Sequence, residues 1–187
     1  MGRWQPDARV RLQQAALALY GEHGYEETTV AQIAERAGLT KRTFFRYFTD
    51  KREVLFWGSE LLEQRMVAAI EAAPAWVPAF GLIGAALEAA AVRFEEVREF
   101  AGPRHRIIAS SRELQERELI KASSLAAGMA KALRARGLDD TAAQLTALMG
   151  TTVMHVAFEQ WVDDPDHRPF QQIARAVLAQ LREIAAA

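Results

Sequence analysis

Between Leu39 and Lys51 the chain reads LTKRTFFRYFTDK, a run that a helix with two unlike faces reconciles. Phe44, Phe45, Tyr47 and Phe48 stand among the basic residues Lys41, Arg42, Arg46, Lys51 and Arg52. Aromatic side chains favour the interior and cations the surface. On a helix advancing about 100° per residue, Phe44 and Phe48 share one face and Tyr47 sits at its edge. Arg42, Thr43, Phe45 and Arg46 fall on the other side. One face is built to pack and the other to project.

The residues before this helix specify how it is held. Thr29 and Gln32 have the spacing of a capping box. Val30, Ile33, Ala34 and Ala37 recur at i, i+3, i+4 and i+7, one buried stripe on a very short helix. Ala34 is small enough for a close helix crossing. Gly38 permits a positive φ, and Thr40 is placed to cap the helix that follows. Two short helices joined by Gly38-Leu39-Thr40 make a helix-turn-helix. Ahead of them, a helix is expected from Pro6-Asp7 to His23, with Gly24 able to take a left-handed cap and Leu12, Ala16, Leu19 and Tyr20 facing inward. Beyond Asp50, with Glu53 at capping-box spacing, one helix is expected to run to about Ala73.

The remaining chain also reads as helix. Alternating apolar and polar runs and hairpin dipeptides are absent. Breaks are expected at Pro74 to Pro78, at Gly102-Pro103, at Gly137 and at Asp163 to Pro169. They delimit helices near 78–100, 111–136, 140–162 and 169–185, with a short piece at 104–109. The fold class is all-α: an N-terminal three-helix helix-turn-helix domain, residues 1–55, and a second helical domain, residues 56–187.

Net charge is −1, but residues 1–57 carry nine Lys and Arg against seven acids. A small basic end on a mildly acidic body suits a local anionic partner. An exposed helix face bearing Arg, Thr and an aromatic suits the major groove of double-stranded DNA, where arginine meets guanine O6 and N7 and apolar groups meet thymine methyls. Lys41, Lys51, the Tyr47 hydroxyl and the Thr29 hydroxyl are candidates for phosphate contacts. A basic helix face otherwise is simply solvated, and Tyr47 serves equally as core.

The run TTVAQIAERAGLTKRTFFRYFTDKREVL, residues 28–55, resembles the DNA-binding end of the TetR family of bacterial repressors. Gly24-Tyr25, Ala34, Gly38, Thr43, Tyr47-Phe48, Lys51 and Leu55 fall in step with that pattern. The resemblance covers the first third of the chain. It implies an all-helical homodimer, each subunit carrying a DNA-binding domain and a larger domain for a small-molecule effector. The family's contact positions fall on Thr29, Lys41, Arg42, Thr43, Phe45, Arg46, Tyr47 and Lys51. Phe45 stands where many relatives have tyrosine. It cannot donate to a phosphate, which moves it toward an apolar base or sugar contact. A second, weaker pattern is formed by Arg104, Ile107-Ile108, Ser111, Glu113-Leu114 and Arg117, with Phe158-Glu159 and Trp161. It is similar to regulators with an acyl-CoA-like ligand-binding domain.

In the second domain two roles compete for apolar surface. Ala143, Ala147, Gly150 and Met154 form one stripe, and Ile173, Val177, Leu181 and Ile184 another. Both suit a four-helix dimer interface or intrachain packing, and the dimer is the favoured reading. Candidate pocket residues are Phe80, Phe94, Ile108, Met129, Phe158 and Trp161, with Arg104 and His105 placed to hold an anionic group. Most of these aromatics and aliphatics read first as ordinary core and only second as pocket lining.

There is no cysteine, which excludes thiol catalysis and Cys-ligated zinc. No phosphate loop or nucleophile elbow occurs, and His155 with Glu159 lacks a third metal ligand. No cofactor and no enzymatic activity are expected. No apolar run approaches the roughly 20 residues of a membrane span, so a cytoplasmic protein without a membrane partner is expected. The alternative function is a helical small-molecule carrier or enzyme whose DNA-binding motif is vestigial.

Overall fold

A computed structural model of the chain describes residues 7–186. The described helices are α1 (Ala8–His23), α2 (Val30–Arg36), α3 (Lys41–Tyr47), α4 (Glu53–Phe56), α5 (Ser59–Ala72), α6 (Ala79–Glu96), α7 (Arg98–Ala109), α8 (Arg112–Ala135), α9 (Asp140–Val162) and α10 (Phe170–Ala186). No strand occurs among the described residues. The chain divides into two compact units. One comprises Met1–Trp57 and Gly102–Glu118, the other Gly58–Ala101 and Leu119–Ala187.

In the first unit α1 packs on α2 and α4, and α2 on α3. Leu12, Ile33, Phe44 and Leu55 are fully buried where these helices meet. Burying a side chain of this size stabilises a fold by about 1.5–3 kcal/mol. Asp7 caps α1 by accepting from Arg9 N–H at 3.4 Å. Gly24 closes the helix with φ +82° but an extended ψ of 161°, not the left-handed geometry expected. The capping box of α2 is formed as its sequence spells it: Gln32 N–H donates to Thr29 Oγ1 at 3.3 Å, and Thr29 N–H to Gln32 Oε1 at 2.8 Å.

The second unit is built on α5, α6, α9 and α10, with α6 touching each of the others. Its core holds Ile70, Leu82, Ile83, Leu87, Met129, Leu133, Trp161, Phe170 and Ile173. Ala143, Ala147 and Gly150 belong to it as well. A Cβ on Gly150 would come within 2.8 Å of the Met129 terminal methyl and 3.6 Å of Ile83. The two stripes read as a dimer interface are thus largely spent inside the chain. Ile173 and Val177 are buried, and Ile184 at the far end of α10 is exposed.

Three helix boundaries differ from the sequence reading. The helix expected from Asp50 to Ala73 is broken: Trp57 is extended and Gly58 takes φ +92°, ψ −3°, ending α4 and opening α5. The left-handed region ends a helix that periodicity alone would continue. The helix expected over 78–100 stops at Glu96, where Val97 leaves helical geometry. The break expected at Gly102-Pro103 does not occur, because Pro103 lies inside α7. A proline there forfeits one backbone bond, and buried Ala101, Ile107 and Ile108 hold the helix on either side of it.

The turn between α9 and α10 is organised by a buried carboxylate. Asp164 accepts from Arg168 N–H at 2.7 Å and from the Arg168 guanidinium at 2.6 and 3.0 Å. His167 adopts φ +51° within that turn. The Arg168 side chain, then its backbone N–H, hold the Asp164 carboxyl below its ordinary 3.8. A carboxyl whose folded value is depressed contributes stability above its unfolded pKa and loses it as pH falls through the folded one. Asp164→Asn is therefore expected to lower the melting temperature at neutral pH. The gap from the parent chain should narrow as pH falls below the ordinary carboxylate range and through the depressed folded pKa, as read by circular-dichroism melts across an acid pH series.

Candidate nucleic-acid interface

The α2–α3 corner is fixed by backbone bonds and one arginine. Gly38, at φ +64°, sends its N–H to Glu35 O at 2.8 Å. Leu39 N–H reaches Ala34 O, also at 2.8 Å. Ala34 is 1% exposed at the crossing. Arg11 of α1 donates to the carbonyls of Ala37 and Gly38, and a Cβ at residue 38 would meet its guanidinium at 2.8 Å. Thr40 then caps α3 by accepting from Thr43 N–H at 3.1 Å.

The two faces of α3 separate as the wheel requires. Phe44 and Phe48 are buried, with ring centroids 5.5 Å apart. Lys41, Arg42 and Arg46 are exposed, and Thr43 and Tyr47 half-buried. Phe45 is 57% exposed, its ring edge resting on Phe44.

Other candidates from the sequence have structural partners. Thr29 is exposed, its hydroxyl engaged in the α2 cap. Lys51 Nζ donates to the carbonyls of Tyr25 at 2.8 Å, Glu26 at 3.1 Å and Thr28 at 3.1 Å, and lies 4.2 Å from the Tyr25 ring centroid. An ammonium has three donors, so Lys51 braces the turn leading into α2 and has no donor left for a phosphate. Tyr20 completes the brace by donating to Lys51 O at 2.6 Å, and burial pushes its phenol far above the ordinary range. Thr28 Oγ1 donates to Gly24 O at 2.8 Å in the same turn.

Arg9 was not singled out by the sequence and belongs to this region. Its guanidinium lies over Tyr47 at 5.2 Å and over Trp57 at 5.4 Å. Arg46 lies over the same Tyr47 ring at 4.9 Å and donates to its hydroxyl at 3.1 Å. No sequence signal joins Arg9 to Tyr47, because only the packing of α1 brings them together.

The residues expected to form a pocket are divided between the two units. Arg104, His105 and Ile108 belong to the first unit; Phe80, Phe94, Met129, Phe158 and Trp161 belong to the second. Arg104 is taken up locally. It donates to Leu55 O at 2.7 Å and to Glu118 at 3.1 Å, and its guanidinium lies over Phe56. Around it Arg117 pairs with Glu53 at 2.6 Å and Arg52 with Glu113 at 2.9 Å. Residues 102–118 are thus tied by ion pairs to α4 and the turn before it. Ile108, Met129 and Trp161 are core residues, at most 2% exposed. In the second unit Phe94, Phe158 and Trp161 do gather, with Phe170, at centroid separations of 4.7–5.9 Å. Phe80, Phe94 and Phe158 keep some accessible surface. No group of three potential metal ligands occurs among the described residues, nor is any described helix long and apolar enough to cross a membrane.

Residues 12–56 match the family described as bacterial regulatory proteins, tetR family. Over 67 residues the chain is 43% identical to the HTH-type transcriptional regulator TcmR of Streptomyces glaucescens, a stretch that is 36% of this chain and only 30% of that relative's length. Two solved structures share the fold more widely. The transcriptional regulator FadR of Bacillus subtilis in complex with stearoyl-CoA is 19% identical, covers 92% of this chain and 96% of its own, and superposes with a TM-score of 0.64. Thermus thermophilus FadR, a TetR-family repressor in complex with lauroyl-CoA, is 22% identical, covers 94% and 93%, and gives a TM-score of 0.58.

Because three carbonyls depend on one ammonium, Lys51→Met is expected to destabilise the chain by about 2 kcal/mol, within the range for charge-assisted hydrogen bonds. Urea denaturation of parent and variant measures it.

Proposed function

We infer that this chain, whose N-terminal segment belongs to the tetR family of bacterial regulatory proteins, is a dimeric, ligand-responsive transcriptional repressor. It would bind a palindromic operator and be released from it by a small, largely apolar effector of acyl type. The observation that carries the reading is the outward face of α3. Arg42, Phe45 and Arg46 are exposed there, and neither arginine pairs with a carboxylate among the described residues. Arg42 and Thr43 suit base edges in the major groove, and Phe45 a thymine methyl or sugar. Lys41, exposed and without an ion pair among the described residues, suits a phosphate.

A helix-turn-helix reads both halves of an operator as a dimer, with half-sites about 34–36 Å apart. With the small-residue stripe of α9 buried, Leu145 and Leu148 supply the apolar surface for pairing. They lie one turn apart on α9, 55% and 47% exposed. Together with exposed Ile184 of α10 they support a four-helix interface between two copies.

The acyl-type effector is supported by what the two FadR proteins are bound to and by the aromatic group of the second unit. Phe80, Phe94 and Phe158 have surface to offer an apolar ligand. Met129 and Trp161 would line the site only after moving from the core. An open groove of about 370 Å³ between α5 and α6, lined by Ala69, Ala73, Val77 and Gly81, lies in the same unit. Release requires that the effector bind more tightly to a dimer whose two α3 helices no longer match the operator.

Selection of duplexes from a random pool by the full chain tests the reading. Enrichment of a palindrome is expected, and failure to enrich any sequence would sink it. Arg42→Ala is expected to lower the preference for the selected duplex over a random one by about 1–3 kcal/mol, the worth of one bidentate base contact. Competition gel shifts measure the ratio.

A further inference from the structure

We propose that Arg9, at the start of α1, is a DNA-contacting residue that forms with Arg46 and Tyr47 a clamp for one phosphodiester of the backbone. The inference rests on the DNA-binding reading and adds to it a contact from outside the helix-turn-helix.

Two guanidiniums lie over one tyrosine ring, Arg9 at 5.2 Å and Arg46 at 4.9 Å, and Arg46 donates to the tyrosine hydroxyl. Both groups are cations, and holding them about one ring opposes their mutual repulsion. Elsewhere in the same unit several arginines are neutralised by a carboxylate. Arg36 faces Glu22, Arg52 faces Asp50 and Glu113, Arg104 faces Glu118, and Arg117 faces Glu53. Neither Arg9 nor Arg46 has a carboxylate within ion-pair distance among the described residues. Aromatic faces take that place: Tyr47 for both, and Trp57 for Arg9 at 5.4 Å. Such faces hold a guanidinium in position while leaving its N–H groups free to donate.

A further sign is the Arg9 Nε, buried without a hydrogen-bond partner. An unpaired buried donor is costly, so the side chain is held by its packing and not by the bonds it makes. What would complete the group is an anion with several acceptor oxygens. A phosphodiester fits, since guanidinium forks match phosphate geometry. Tyr47 and Arg46 close α3 while Arg9 opens α1, so the clamp would fix the end of the recognition helix against the backbone. A base contact is not assigned to Arg9, and Arg46 becomes a backbone group in this arrangement.

The test uses the full-length chain and two labelled probes, the duplex selected by the parent chain and a random duplex of equal length. Binding is measured across a salt series for the parent, Arg9→Gln and Arg9→Lys, each checked for an unchanged melting temperature. Arg9→Gln is expected to weaken both probes by about 5–20-fold and to reduce the slope of log affinity against log salt by about one, the loss of one phosphate contact. Arg9→Lys keeps the cation and is expected to retain the slope. Should Arg9→Gln leave the slope unchanged, or should Arg9→Lys lose it as fully as Arg9→Gln, the clamp is overturned while the regulator reading stands. If the parent selects no duplex at all, the underlying reading fails first, and the two failures are told apart.

Discussion

The burial of Phe44 beneath α3 is the constraint from which the outward face of the helix follows. A seven-residue helix does not persist in water on its own. It is held here by two aromatic anchors, Phe44 and Phe48, by the Thr40 cap and by the Gly38 corner. Those anchors also fix its rotation. Turning α3 by one residue would lift Phe44 and Phe48 out of the core together, replacing them by Thr43 and Tyr47 or by Phe45 and Thr49. The placement of Arg42 and Phe45 is thus decided inside the unit, by apolar packing, although both side chains lie at the surface. A recognition surface on a short helix needs such support, since loosely held groups discriminate poorly.

Most of this was legible because its causes are local. The Thr29 and Gln32 capping box, the positive φ of Gly38 and the aromatic periodicity of α3 depend on residues within four positions of one another. What escaped has non-local causes. Gly58 lies within a helix expected to run unbroken to Ala73, but it is left-handed, and the Arg93 guanidinium lies where a side chain would stand. Gly102-Pro103 reads as a stop, yet burial on both sides of Pro103 carries α7 through it. Small residues at 143, 147 and 150 signal that something approaches closely; they do not say whether it is a second copy or Met129 and Ile83 of the same chain.

Arg104 and Lys51 show the same limit for charges. A cation beside apolar residues reads as a hook for an anion, and a lysine after a recognition helix reads as a phosphate contact. In the folded chain Arg104 serves Leu55 O and Glu118, and Lys51 serves three carbonyls. Sequence gives the charge of a side chain but not the orphaned acceptors that folding will leave beside it. Backbone carbonyls at turns are such acceptors, and an interior cation that satisfies them removes a desolvation cost that would otherwise fall on the fold.

The distribution of paired and unpaired arginines then bears on how a nearly neutral protein could hold DNA. A net charge of −1 offers no general attraction. Attraction must therefore be local, and salt confines it further, to a Debye length of about 8 Å at physiological strength. Within that range what matters is which cations lack their own counterion. Arg36, Arg52, Arg104 and Arg117 are neutralised by neighbours and act as structural ties. Among the described residues Arg42 and Arg46 on α3 are not, and Arg9 rests on rings instead of acids. Any carboxylate placed to steady these three would have to be displaced before a phosphate could enter, so its stabilising effect on the free protein would oppose binding. Aromatic support avoids that competition, because a ring fixes a guanidinium without occupying its N–H donors. Tyr47, which looked misplaced among the basic residues, is on this argument what allows Arg9 and Arg46 to remain both ordered and available.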